Sequence, residues 1–278
     1  MNVHLVDATS ELFRCFHVLP PARNYRGEEV AAVRGVMHSI KGLVQAGASH
    51  LGIATRTNYK SGDGLPPQLL TQCSLLEEGL TAWGLTVWPM VEFEPKDALA
   101  SAAAQAALDP QVDQVFLCSL DKILAQCVQG RRVVQYDGAR KTARDAAAVL
   151  DKFGIPPASI PDYLALVGDP AHDLPGLPGW GARSAAAVLS RFPHLEAIPD
   201  DHTLWDAGVA RPASLAAILQ RERAQAELFR RRATLHTDVP LFRSVDQLAW
   251  RGPTPDLPRF RRRVAVMHRA PGSHPRSE

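Results

Sequence analysis

The stretch Leu166-Val-Gly-Asp-Pro-Ala-His-Asp-Leu-Pro-Gly-Leu-Pro-Gly-Trp-Gly-Ala-Arg-Ser-Ala-Ala-Ala-Val-Leu189 decides how the rest of the chain is read. Its first half is a short acidic loop, with Asp169 and Asp173 on either side of His172. Carboxylate and imidazole side chains so close together are metal-ligand types. Its second half breaks the backbone at Gly176, Gly179 and Gly181, just before an apolar run from Ala185 to Leu189. Glycine permits positive φ and a tight hairpin with no Cβ in the way. A helix starting near Gly181 directs its free N–H groups and positive dipole end out of that hairpin, which suits a phosphate. Arg183 and Ser184 add donors in the first turn.

Upstream, short apolar runs alternate with helical patterns. Strands are expected at Val3–Val6, Leu51–Ala54, Leu85–Trp88, Gln114–Cys118 and Arg132–Tyr136. Between them, residues 28–46, 66–83 and 98–108 carry helical signals. In residues 28–46, Val30, Val33, Met37, Ile40 and Val44 have the spacing of an amphipathic helix. Strands alternating with helices imply a parallel α/β sheet.

The acids fall where such sheets bind ligands. Asp7, the Glu94/Asp97 pair and Asp121 all follow the carboxyl ends of expected strands. Carboxylates converging on one edge repel unless a cation neutralises them, and hard oxygen ligands suit Mg²⁺ or Mn²⁺. A helix start supplies a plainer account of Glu94-Pro95-Lys96-Asp97, because Pro and acids belong in a first turn.

At 278 residues the chain has room for two domains and a sizeable core. Its net charge of +2 requires any nucleic-acid binding to come from local Arg and Lys clusters. Cys15, Cys73, Cys118 and Cys127 are scattered without a Cys-x-x-Cys, as expected of reduced thiols in the cytoplasm. No run has the length and apolarity of a membrane span, and no signal peptide is evident at the N-terminus. One long basic helix is expected over residues 214–235, a second basic cluster at Arg259–Arg263, and a disordered tail over residues 271–278.

Taken in order, these motifs resemble the 5′ nuclease family, which includes flap endonucleases and the 5′–3′ exonuclease domain of bacterial DNA polymerases. Asp7 with Leu12-Phe13-Arg14, then Arg26-Gly27-Glu28, Phe93 to Asp97, Ser119 to Ile123, the acidic loop with its hairpin, and Thr237 to Leu241 follow the family's order. The resemblance implies a PIN-like parallel sheet flanked by helices over residues 1–155. It implies a helical domain with a helix-three-turn-helix DNA-binding motif over 156–250, and it leaves a basic C-terminal segment and tail at 251–278.

It also implies divalent-metal-dependent phosphodiester hydrolysis at 5′ ends or branched DNA. Asp7, Glu94, Asp97, Asp121 and Asp169 are then the catalytic and metal-binding acids, joined as ligands by His172 and Asp173. Arg14 and Lys122 steady the phosphate, and Gly176, Gly179, Gly181, Arg183 and Ser184 hold the duplex. A K⁺ on the carbonyls around Leu177 to Gly181, a monomer, a polymerase in the same pathway and a cytoplasmic, nucleoid-associated bacterial setting are further implications. The chain departs from the family pattern at four acidic positions, where Thr55, Lys96, Ile123 and His172 stand. The loop at 55–64 is also shorter than the family's arch, with Arg56 and Lys60 as its basic residues. These departures motivate an alternative, a catalytically impaired relative that binds nicked or branched duplexes. A PIN-type ribonuclease is a more distant one, against which the hairpin argues.

Overall fold

A computed structural model describes residues 1–57, 66–205 and 208–266. Lys60 with most of the short loop, and the tail at 271–278, lie outside the described residues.

Six strands form one sheet: β1 Asn2–Asp7, β2 His50–Arg56, β3 Thr86–Met90, β4 Gln114–Leu117, β5 Val133–Asp137 and β6 Thr142–Arg144. Their order is β3-β2-β1-β4-β5-β6, with β1 to β5 parallel and β6 antiparallel on the β5 edge. The hairpin that adds β6 carries no alternating apolar pattern, so the sequence does not announce it.

Side-chain alternation assigns each strand residue to a layer. Val6, Leu51 and Ile53 enter one apolar cluster with α1 (Ala8–Val18), α2 (Ala31–Gln45) and α3 (Pro67–Ala82). Val3, Leu5, Ala54, Val115 and Leu117 enter the other, beneath α4 (Pro95–Leu108). That second cluster continues without a break through α5 (Ala146–Phe153), α6 (Ile160–Val167), α7 (Ala182–Leu189), α8 (Pro212–Arg221) and α9 (Arg223–Ala233). The last helix among the described residues, α10 (Leu257–Arg263), returns to the first layer, where Leu257 and Phe260 are buried.

The single helix expected over 214–235 is two helices that meet at Glu222, where φ is −104° and ψ is 17°. Its neighbour Arg223 is tied down from outside the helix, donating to Leu195 O at 3.0 Å and to Asp200 Oδ1 at 3.0 Å. Helical periodicity continues through the break, which therefore belongs to tertiary contacts rather than to local propensity.

Candidate metal centre and phosphate-binding hairpin

Helix and strand ends aim the acids. Asp7 ends β1 and caps α1, accepting from Ser10 N at 2.9 Å and Ser10 Oγ at 2.6 Å. Burial pushes its carboxyl above the usual range, against the pull of Ser10 and Lys96. Asp121 follows β4 and caps the short 3-10 turn Lys122–Cys127 through Ile123 N at 3.1 Å. Asp169 follows α6 and is buried.

Asp121, Asp169 and His172 come together, each offering a ligand atom within 4.8 Å of the others. His172 Nδ1 lies 2.9 Å from Asp169 Oδ2, and its Nε2 faces Asp121 Oδ2 at 3.2 Å. Nε2 is buried and lacks hydrogen-bond geometry to any described residue. With Nδ1–H donating to Asp169, the Nε2 lone pair is directed at a carboxylate; only a proton or another cation reconciles the two.

Two ammonium groups enter the same cluster. Lys122 Nζ is 2.8 Å from Asp169 Oδ1, and Lys96 Nζ is 4.0 Å from Asp121 Oδ2. Burial pushes the Asp121 and Asp169 carboxyls up, and the cations outweigh it. His172 and Lys96 bring Asp121 below the usual carboxylate range, as Lys122 and His172 do for Asp169. In return the Asp121 carboxylate, more than Asp169, raises the His172 imidazole above its ordinary value.

Other expected site residues are placed elsewhere. Asp97 is buried, but its oxygens accept from Glu94 N at 3.1 Å and His236 N at 2.9 Å. It closes a capping box with Glu94 at the start of α4, so the plainer account of this segment describes it. Glu94 is half-exposed and pairs with Arg56 Nη1 at 3.4 Å. Arg14 is held by Glu11 through two donated bonds of 2.7 and 2.6 Å. Asp173 is exposed with φ 51° and, like Asp7, Glu94 and Asp97, lies outside the three-donor group. At the end of β2, Thr55 donates to Glu77 Oε1 at 3.0 Å, a carboxylate that the strand pattern could not reveal because it arrives from α3.

The hairpin is locked to the acidic loop by main chain. Asp169 N donates to Leu174 O at 2.8 Å and Leu174 N returns a bond to Asp169 O at 3.1 Å. Leu177 N then donates to Leu166 O at 2.8 Å. Gly176 has φ 71°, and a Cβ there would stand 2.5 Å from Gly168 N and 2.6 Å from Val167 C. Only glycine meets both demands. Gly179 also has positive φ (78°), whereas Gly181, at φ −135°, caps α7 in open space. Gly181 N donates to Ser184 Oγ at 3.1 Å, and Arg183 is exposed beside it.

An acid-lined parallel sheet edge joined to a glycine hairpin defines the PIN-like nuclease class. Two family models match: "5'-3' exonuclease, N-terminal resolvase-like domain" over residues 2–154 and "5'-3' exonuclease, C-terminal SAM fold" over residues 155–256. The chain belongs to the 5′–3′ exonuclease family.

DNA polymerase I of Rhizobium leguminosarum is 30% identical over 268 residues, covering 89% of this chain and 26% of that protein. DNA polymerase I of Pseudomonas aeruginosa is 28% identical over 265 residues, covering 88% and 28%. The chain thus spans little more than a quarter of the length of these relatives. Among solved structures, zinc-bound T5 5′-exonuclease superposes with a TM-score of 0.66 at 14% identity, covering 95% of this chain and 98% of that one. The catalytic core of Rad2 in complex with DNA substrate gives 0.58 at 16% identity, covering 94% and 86%. Both likenesses establish the fold.

Proposed function

We propose that the chain is a divalent-metal-dependent 5′–3′ exonuclease or flap endonuclease acting on DNA at 5′ ends or branches. The observation carrying this reading is a donor cluster in which Asp169 and His172, on the loop that the hairpin closes upon, meet Asp121 from the end of β4. The family models and relatives favour cutting over binding alone.

The residues fit one ion. Asp121, Asp169 and His172 would hold it, with the buried Asp7 facing their charge from the end of β1. A second carboxylate set is poorly supplied: Lys96 and Ile123 stand where the resemblance leads one to expect acids, Glu94 is turned to Arg56, and Asp97 is engaged by backbone. An imidazole in the set favours Mn²⁺ over Mg²⁺. The ion would supply Lewis-acid polarisation of the phosphodiester and a more acidic bound water.

The chain's own side chains do the rest. Lys122 and Lys96 exchange their carboxylate contacts for the scissile phosphate when substrate arrives. The amides at the start of α7, with Arg183 and Ser184, hold the duplex backbone. A K⁺ on the carbonyls of Leu177 to Gly181 belongs to the same proposal. So do a monomeric state, a DNA polymerase in the same pathway and a cytoplasmic, nucleoid-associated setting. No helix among the described residues is long and apolar enough to cross a membrane.

Cleavage of 5′-flap and nicked DNA, titrated with Mn²⁺ and Mg²⁺, tests the proposal with Asp121→Ala as control. Ion-dependent cleavage that this substitution abolishes is the expected result. Duplex binding without cleavage under either ion would replace the proposal with the binding-only reading.

A further inference from the structure

Gln135 is wholly buried in β5, on the same face as Val133 and beside Leu117 of β4, both in the apolar layer beneath α4. A side-chain amide in such a place is costly unless its polar atoms find partners. Its partners lie on two segments. Nε2 donates to Ser119 O at 3.2 Å and to Asp121 O at 2.8 Å. Oε1 accepts from Arg144 Nη1 at 3.0 Å, and Arg144 stands directly across from Gln135 on β6. A guanidinium only donates and a carbonyl only accepts, so these neighbours fix which way round the amide lies.

The segment held in this way carries an acid of the metal cluster. Beyond Leu117 the chain leaves the sheet, and Asp121 caps the turn that follows. Asp121 N donates to Ser119 Oγ at 3.2 Å, and Asp121 O accepts from Leu124 N at 3.2 Å as well as from Gln135. Its Oδ1 accepts from Ile123 N at 3.1 Å, which leaves Oδ2 to face His172. Gln135 thus grips Asp121 by its main chain and not by its carboxylate, so any effect on a bound ion is an effect of placement. The β6 hairpin, at the edge of the sheet, carries the arginine that orients the amide.

We propose that Gln135, clamped by Arg144, is a positioning residue that sets the direction of the Asp121 carboxylate toward Asp169 and His172. The inference rests on the proposed function only for the ion that this cluster would hold; the placement itself can be read without one.

The test uses the full chain carrying Gln135→Met, which keeps the length of the side chain without its amide, or Arg144→Met, or Arg144→Lys. Hydrogen exchange in EDTA is followed at the Ile123 amide, which donates to the Asp121 carboxylate, with the amides of β1 reporting global opening. Calorimetry gives Mn²⁺ affinity, and 5′-flap cleavage gives kcat and KM separately. Gln135→Met should speed Ile123 exchange about tenfold more than β1 exchange, because the opening is local. It should weaken Mn²⁺ about tenfold and lower kcat, with KM for DNA staying within about twofold. Arg144→Met should weaken Mn²⁺ about fivefold, and Arg144→Lys, which keeps a donor, should stay within about twofold of wild type. The sign separates placement from charge: removing a positive charge near a cation site tightens the cation by Coulomb attraction alone.

Ile123 exchange that rises only in step with β1 would overturn the proposal and leave Gln135 a buried amide of the core. Mn²⁺ affinity that Arg144→Met leaves unchanged or tightens would overturn it as well. A wild type that neither binds Mn²⁺ nor cuts DNA would remove the proposed function, and the exchange comparison would still decide the placement. Arg144 is half-buried at the sheet edge, so its variants carry the test if Gln135→Met fails to fold.

Discussion

The carboxylate cluster and the hairpin meet at the loop that carries Asp169 and His172, with Asp121 joining from the end of β4, and they are built from different material. The hairpin is made of main chain: a glycine at φ 71°, reciprocal amide bonds between Asp169 and Leu174, and a third from Leu177 N to Leu166 O. The cluster is made of side chains, and cationic groups stand among its acids. Lys96, Lys122 and His172 stand within 4.0 Å of Asp121 or Asp169. A backbone site survives substitution wherever glycine is retained. A side-chain site is redefined by every exchange, so a main-chain turn can persist while the side chains beside it change.

The largest effect should come from the backbone half. Gly176→Ala forces a Cβ into the Gly168 main chain at positive φ, and should cost about 3 kcal/mol or more in urea unfolding. Gly181→Ala, at φ −135° in open space, should cost less than about 1 kcal/mol. Equal costs would undo the claim that close backbone approach locks the hairpin.

The response to acid separates the centre from the sheet. His4 Nδ1 is buried with no hydrogen-bond partner among the described residues, the ring is stacked on Phe116 at 4.8 Å, and burial lowers its pKa to about 4. Between pH 6.5 and 4 the unfolded chain takes up a proton there that the folded chain refuses. Stability should fall by roughly 3 kcal/mol across that window, and His4→Phe should remove the loss.

The centre responds outside that window, above it through His172 and below it through the acids. His172 has a raised pKa, so its contribution is full below pH 6.5 and fades as pH rises through the folded value. Asp121 and Asp169 are depressed, so their contributions fade only as pH falls through their folded values. Thermal melts against pH of wild type and His4→Phe decide between the two regions.

Asp97→Asn distinguishes a cap from a ligand. It should cost roughly 1–2 kcal/mol in unfolding free energy by weakening acceptance from Glu94 N and His236 N. Mn²⁺ affinity, measured calorimetrically, should stay within twofold; a tenfold loss would return Asp97 to the metal site. The smallest effect in energy is the most direct on the cluster. Lys96→Asp replaces an ammonium 4.0 Å from Asp121 with a carboxylate and should tighten Mn²⁺ binding about tenfold, ~1.4 kcal/mol.

Much of this architecture was legible residue by residue. Apolar runs located the five parallel strands, and Gly176 with Gly179 located the turn, because periodicity and glycine act within a few residues of chain. The sequence also drew attention to Lys96 and His172, which the fold sets beside Asp121 and Asp169. It placed Asp97 beside Glu94 without telling that backbone from residue 236 would occupy it. It could not reveal the carboxylate that Glu77 brings to Thr55, the break at Glu222 or the β6 hairpin.

The sequence by itself thus determined the order of elements and the identity of the charged groups. Only the tertiary structure decided which charge meets which: Lys122 and Asp169 are 47 residues apart and 2.8 Å in contact. Local sterics are encoded locally, whereas electrostatic partnership depends on distance in space, and the fold alone sets that distance.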